Sequence, residues 1–102
     1  MNIFTLPINL PLEKIQRFCK YYHIRKLSLF GSVLREDFTE ESDVDVLVEF
    51  EEGKTPGLSI ITMEDELSEI IKRKIDLRTR GDLSHYFREK VINESLVIYE
   101  QN

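Results

Sequence analysis

Asp43 and Asp45 occupy alternate positions in the run Asp43-Val44-Asp45-Val46-Leu47-Val48-Glu49-Phe50. The stretch is rich in β-branched residues and reads as a strand. Residues two apart on a strand point to the same face, roughly 6.6 Å from one another at about 3.3 Å per residue. Both carboxylates therefore project to one side, and Val44, Val46 and Val48 project to the other, into a core. Two like charges on one face repel and resist burial, so a positive group belongs between them. A hard divalent cation suits an all-oxygen ligand set. Two such ions about 3.5–4 Å apart stabilise the entering and leaving oxygens of a phosphoryl displacement. Asp76 extends the set. In Lys74-Ile75-Asp76-Leu77-Arg78-Thr79, Ile75 and Leu77 share one face, while Asp76 shares the other with Lys74 and Arg78. If this strand neighbours the one bearing Asp45, three acids meet. The third would bind one metal and accept the proton of an attacking hydroxyl.

Gly31-Ser32 supplies the complementary half. The pair ends the short apolar run Lys26-Leu27-Ser28-Leu29-Phe30 and opens a turn or short helix through Arg35. Glycine lets a phosphate approach the backbone closely, and the start of a helix presents free N–H groups to anionic oxygens. The Ser32 hydroxyl adds a donor, and Arg35 adds a charged one. Taken singly, these features are ordinary. Most Gly-Ser pairs are turns, most Asp-x-Asp pairs are solvated strand ends, and a lone Asp76 is an exposed alternating residue. Their joint order, on these elements, points to chemistry.

The elements that must position them follow from periodicity. Leu12, Ile15, Phe18, Cys19 and Tyr22 form a stripe at helical spacing from Pro11 to about His23. Strands are predicted over Lys26–Phe30, Asp43–Phe50, Lys74–Thr79 and Leu96–Tyr99. A helix over about Ser59–Lys72 places Ile60, Met63, Leu67, Ile70 and Ile71 inward. Another over about Leu83–Asn93 places Leu83, Phe87 and Val91 inward. Asp37–Ser42, Glu51–Gly57 and Gly81-Asp82 are loops or breaks. The order α-β-(α)-β-α-β-α-β predicts an α/β (α+β) domain with a mixed sheet flanked by helices.

The chain has 102 residues, 41% hydrophobic and 32% charged, which fits one domain over residues 1–102. The formal net charge of −5 argues against direct nucleic-acid binding. It is compatible with a nucleotide, because Mg²⁺ bridges acidic side chains to a triphosphate. One cysteine, Cys19, allows no internal disulfide and sits on an apolar stripe, as a core residue does. The start, from Met1 to Pro7, reads as no signal peptide. No apolar run reaches membrane-spanning length, and a cytoplasmic location is expected. No Gly-Lys-Ser/Thr loop and no EF-hand pattern is present. His23 and His85 are isolated. Glu40, Glu41, Glu49, Glu51 and Glu52 read as solvated charge.

Leu29-Phe30-Gly31-Ser32-Val33-Leu34-Arg35 followed by Ser42-Asp43-Val44-Asp45-Val46-Leu47-Val48 resembles the polymerase-β nucleotidyltransferase superfamily. The resemblance extends over nearly the whole chain and is nearest to the minimal nucleotidyltransferases (MNT) of HEPN–MNT toxin–antitoxin pairs. It implies a polymerase-β-like palm. It implies Asp43 and Asp45 as metal ligands, Asp76 as the third acid, and Gly31, Ser32 and Arg35 at the NTP phosphates. It further implies Mg²⁺, as two ions, with ATP as substrate. The implied activity is transfer of AMP to a tyrosine hydroxyl of a cognate HEPN RNase toxin, with which the chain would form a hetero-oligomer. Many relatives carry glycine where this chain has Glu36. Two other readings are a binding-only antitoxin that occludes its toxin and, ranked lower, transfer to a small molecule such as an aminoglycoside.

Overall fold

The computed structural model describes residues 3–102. Met1 and Asn2, where the reading of no signal peptide begins, lie outside the described residues. After a 3-10 turn at Ile3–Thr5 come α1 (Leu12–Tyr21), β1 (Ile24–Phe30), a 3-10 turn (Gly31–Leu34), β2 (Val44–Phe50), α2 (Ser59–Ile71), β3 (Ile75–Thr79), a 3-10 turn (Arg80–Asp82), α3 (Arg88–Glu94) and β4 (Leu96–Glu100). The strands form one mixed sheet in the order β3-β2-β1-β4. β2 pairs antiparallel with β1 and parallel with β3, and β1 pairs antiparallel with β4.

Alternation along β2 decides the layers. Val44, Val46 and Val48 are fully buried and join Leu27 and Leu29 of β1 and Ile75 and Leu77 of β3. Ile15, Phe18 and Cys19 of α1 and Met63, Leu67 and Ile71 of α2 close over them. Each such aliphatic side chain contributes about 1.5–3 kcal/mol on full burial, so this face anchors the sheet. Burial also pushes the Cys19 thiol up to about 12, which keeps it protonated and inert. A bulge between Ile24 and Lys26 puts Ile24 opposite Phe50 and returns it to the core face. Leu12, at the start of the α1 stripe, is 40% exposed.

Two residues terminate their helices in the left-handed conformation: His23, at φ 58°, after α1, and Lys72, at φ 65°, as the C-cap of α2. Among the described residues, no helix is long and apolar enough to cross a membrane.

α3 corrects the sequence expectation. It begins at Arg88, not Leu83, and Phe87 is 63% exposed rather than inward. Thr79 and Asp82 form a reciprocal capping box around the 3-10 turn, which spends residues 80–82 on a turn of their own. Leu83 is then extended, and the Ser84 carbonyl accepts from both the Phe87 and Arg88 N–H groups. Only after that turn does the helix run, and it buries no residue fully.

Candidate active site

The sheet face opposite the main core carries the acids. Asp45 stands in register with Phe30 of β1 on one side and with Asp76 of β3 on the other, and paired residues share a face. Leu47, two residues on along the same face, is 2% exposed, between Ser28 and Arg78 in register. The floor beyond the acids is therefore closed, and β2 is buried on both faces.

Asp45 is half-buried, and its carboxyl is held above the usual range. Burial is the largest cause, followed by the charges of Asp76 and Asp43; Arg78 and Arg35 act in the opposite sense. Two further acids and two arginines thus act on the Asp45 carboxyl, a clustering of charge typical of functional sites.

Gly31 follows directly. Its φ is +75°, a left-handed conformation, and a Cβ there would collide with Asp45 Oδ2. Glycine is needed twice at this residue, for backbone geometry and for the contact with the carboxylate. Gly31–Leu34 is a single 3-10 turn, closed by the Arg35 N–H on the Ser32 carbonyl at 2.9 Å, rather than the start of an α-helix. Val33 is buried and pins the turn, while Ser32 is half-exposed. Arg35 is exposed, pairing with Asp37 at 3.2 Å, and Glu36 is exposed as well.

Arg78 lies two residues beyond Asp76 on the same strand face and grips it with both ends of its fork: Nε to Oδ1 at 3.0 Å and Nη2 to Oδ2 at 3.1 Å. An exposed pair of this kind is worth about 0–1 kcal/mol, so it orients Asp76 without locking it. Asp43, at the solvent end, has Lys74 Nζ 4.0 Å from Oδ2. The three carboxylates are neighbours on one face and not a closed cage. Among the described residues, no group of three His, Cys, Asp or Glu side chains is gathered tightly enough to hold a metal ion alone. The donor set still fits Mg²⁺, which takes one or two carboxylates, keeps water and uses phosphate oxygens for the rest.

Beside the Phe30–Arg35 segment opens a cleft of about 460 Å³ whose far wall is Phe87, Lys90, Val91 and Glu94. Sequence reasoning put Phe87 in the core and had no signal for the cleft. It also missed the support of β3. This strand is the sheet edge beside β2, and its outward N–H groups bond to α2: Ile75 N–H to Ser68 Oγ at 3.1 Å, and Leu77 N–H to Glu64 Oε2 at 2.8 Å. Asp76 lies between those two pins. The Arg78 contact was within reach of the strand alternation, whereas Glu64 and Ser68 leave no trace in local pattern.

A small mixed sheet with paired strand carboxylates against a glycine-opened turn defines a nucleotidyltransferase palm. The family described as "Polymerase beta, Nucleotidyltransferase" matches residues 13–102, and the chain belongs to it. The chain is 34% identical over 79 residues to the protein adenylyltransferase MntA of Thermococcus cleftensis, covering 76% of this chain and 76% of the relative. A solved minimal nucleotidyltransferase superposes with a TM-score of 0.68 at 30% identity, covering 83% of this chain and 86% of that one. The fold is shared with a solved complex of a tri-AMPylated Shewanella oneidensis HEPN toxin and its MNT antitoxin, with a TM-score of 0.63 at 16% identity, covering 88% of this chain and 70% of that one.

Proposed function

We propose that this nucleotidyltransferase transfers AMP from ATP to a tyrosine hydroxyl of a partner protein, a HEPN-type toxin that it thereby silences. One observation carries the reading: Asp45, wedged against Gly31, shares its sheet face with Asp76 and feels both Asp76 and Asp43. The names of the relatives support an adenylyl donor and a protein acceptor.

In this reading Asp43 and Asp45 would hold Mg²⁺, expected as two ions. Bound Mg²⁺ supplies charge neutralisation at the phosphates. Gly31 lets the turn lie against Asp45, while Ser32 and Arg35 donate to the phosphate oxygens. The acceptor hydroxyl attacks the α-phosphorus. A new P–O bond forms, the bond to the β-phosphate oxygen breaks, and pyrophosphate leaves. Asp76 takes the hydroxyl proton, and Arg78 keeps its carboxylate aimed at the site. We read residues 1–102 as one catalytic domain, in agreement with a family match from residue 13 to the last residue. The lone buried thiol fits a cytoplasmic setting.

The test is to incubate the chain with its co-purified partner, Mg²⁺ and ATP, and to weigh the partner intact. A mass increment of one or more AMP groups is expected. No increment with any NTP rejects the reading. Full protection of cells at native expression by the Asp43→Ala, Asp45→Ala double variant would favour neutralisation by occlusion.

A further inference from the structure

Asp43 is delivered by a loop whose own bonds are short-range: the Ser42 N–H donates to the Thr39 carbonyl at 3.1 Å, the Thr39 N–H to Ser42 Oγ at 3.0 Å and the Glu41 N–H to Thr39 Oγ1 at 3.3 Å, which close the turn without tying it to the sheet. Residues 37–42 are polar and acidic apart from Phe38, and Asp43 itself is exposed. A metal-binding carboxylate nevertheless has to be held to within about 0.5 Å of its productive place.

The support comes from the far end of α2. Arg73 Nη2 lies within hydrogen-bond reach of three backbone carbonyls: Thr39 at 3.0 Å, Glu40 at 3.2 Å and Ser42 at 2.8 Å. The guanidinium carbon also sits 4.7 Å from the centroid of the Phe38 ring, a stacking that favours arginine. The next residue adds a second tie, since the Lys74 carbonyl accepts the Val44 N–H at 2.9 Å. Asp43 is thereby bracketed. The carbonyl before it is held by Arg73, and the N–H after it by Lys74. Left-handed Lys72 turns the chain out of α2 just before these residues, and Asp76 follows three residues after Arg73.

We propose that Arg73 is a positioning residue for the acid cluster, fixing Asp43 beside Asp45 and Asp76 by tying the Thr39–Ser42 loop to the start of β3. The inference rests on the reading of these acids as the transfer site. Arginine suits this place because one terminal nitrogen of its planar guanidinium bonds the loop, its two N–H groups shared among the three carbonyls, while the guanidinium sits against Phe38.

The test compares Arg73→Lys, Arg73→Gln and Arg73→Ala with the unaltered chain. Four quantities are read: kcat and KM(ATP) for AMP transfer to the co-purified partner, Mn²⁺ affinity in the presence of ATP by electron paramagnetic resonance, amide hydrogen exchange across residues 39–44, and the melting temperature. Arg73→Ala is expected to lower kcat and Mn²⁺ affinity about 10–100-fold, as loss of support behind a metal ligand does. KM(ATP) should stay within about twofold, since Gly31 and Ser32 are untouched. Exchange at Val44 and the loop amides should quicken, with Arg73→Lys recovering part of each loss and Arg73→Gln less. Wild-type kcat and Mn²⁺ affinity in folded Arg73→Ala would overturn the proposal. If that variant does not fold, wild-type values in both Arg73→Lys and Arg73→Gln overturn it. Should the unaltered chain transfer no AMP, the functional reading fails separately, and the Mn²⁺ and exchange measurements still decide the role of Arg73.

Discussion

Asp45 of β2 and Asp76 of β3 face each other directly in a parallel strand pair, where neighbouring strands run about 4.8 Å apart. Two carboxylates so placed weaken the fold. Their presence on two strands whose opposite face is buried in the core marks a local conflict of the kind found at functional sites.

That conflict has a pH signature. The fold holds the Asp45 carboxyl above its usual range, through burial first and then Asp76 and Asp43, so the folded chain binds this proton more tightly than the unfolded chain. Stability linked to Asp45 is therefore complete below about pH 4 and is lost as pH rises through the raised value. Asp45→Asn should melt near the unaltered protein in acid and increasingly above it toward neutrality, in chelator-containing buffer. Asp82 acts in the opposite direction. The Thr79 N–H, then the Thr79 hydroxyl, hold its carboxyl low, so its contribution disappears on acidification and remains in the Asp45 variant. A melting difference that stays flat from about pH 3 to pH 8 would contradict this account.

Asp76→Asn separates binding from chemistry. Asparagine keeps the side chain's shape beside Arg78 but accepts no proton from the acceptor hydroxyl. Transfer should fall about 10²–10⁴-fold, with MgATP affinity reduced far less. Calorimetric titration of MgATP alongside single-turnover kinetics makes the comparison, and parallel losses in both would remove Asp76 from the proton-accepting role.

Gly31→Ala should be costly in stability and in turnover. A left-handed non-glycine residue costs about 1–2 kcal/mol, and the new Cβ displaces the Asp45 carboxylate. Gly53 provides the control, because its φ is +76° but an added Cβ meets nothing within 4 Å. Gly53→Ala should lose a similar amount of stability and keep its activity. Equal activity in the two variants would show that the Gly31–Asp45 contact is unimportant.

Glu64→Ala removes the acceptor for the Leu77 N–H on the sheet edge. An unmet donor costs about 1–3 kcal/mol, and about 1 kcal/mol lowers the melting temperature of a domain this size by about 4–8 °C. Turnover should drop as well, since Asp76 loses one of its two flanking pins. Glu64→Gln retains an acceptor oxygen and should behave nearly as the parent. Melting curves and transfer assays of the pair check this, and an inactive Glu64→Gln would point to a role for the charge itself.

All four strands and both long helices were legible from their apolar patterns, although the bulge at Ile24–Lys26 hid the first residues of β1. Val44, Val46 and Val48 alternate with Asp45 and Leu47, and Met63, Leu67 and Ile71 recur at helical spacing. α3 was misread because Phe87 falls on the right period for an inward residue. Periodicity does not register the Thr79–Asp82 capping box, which spends the preceding residues on a separate turn. The Gly31-Ser32 pair was legible as a turn at the end of a strand, but its form, a single 3-10 turn wedged against Asp45, was not.

Amino-acid order alone determined which acids share a strand face and which turn accompanies them, because side-chain direction along a strand is set by local alternation. Only the tertiary structure decided that β3 lies parallel to β2 with Asp76 opposite Asp45, that Glu64 and Ser68 bond the edge of β3, and that Arg73 bonds the loop before β2. Those contacts join residues far apart in the chain, and which distant donors and acceptors meet depends on how the helices pack over the sheet.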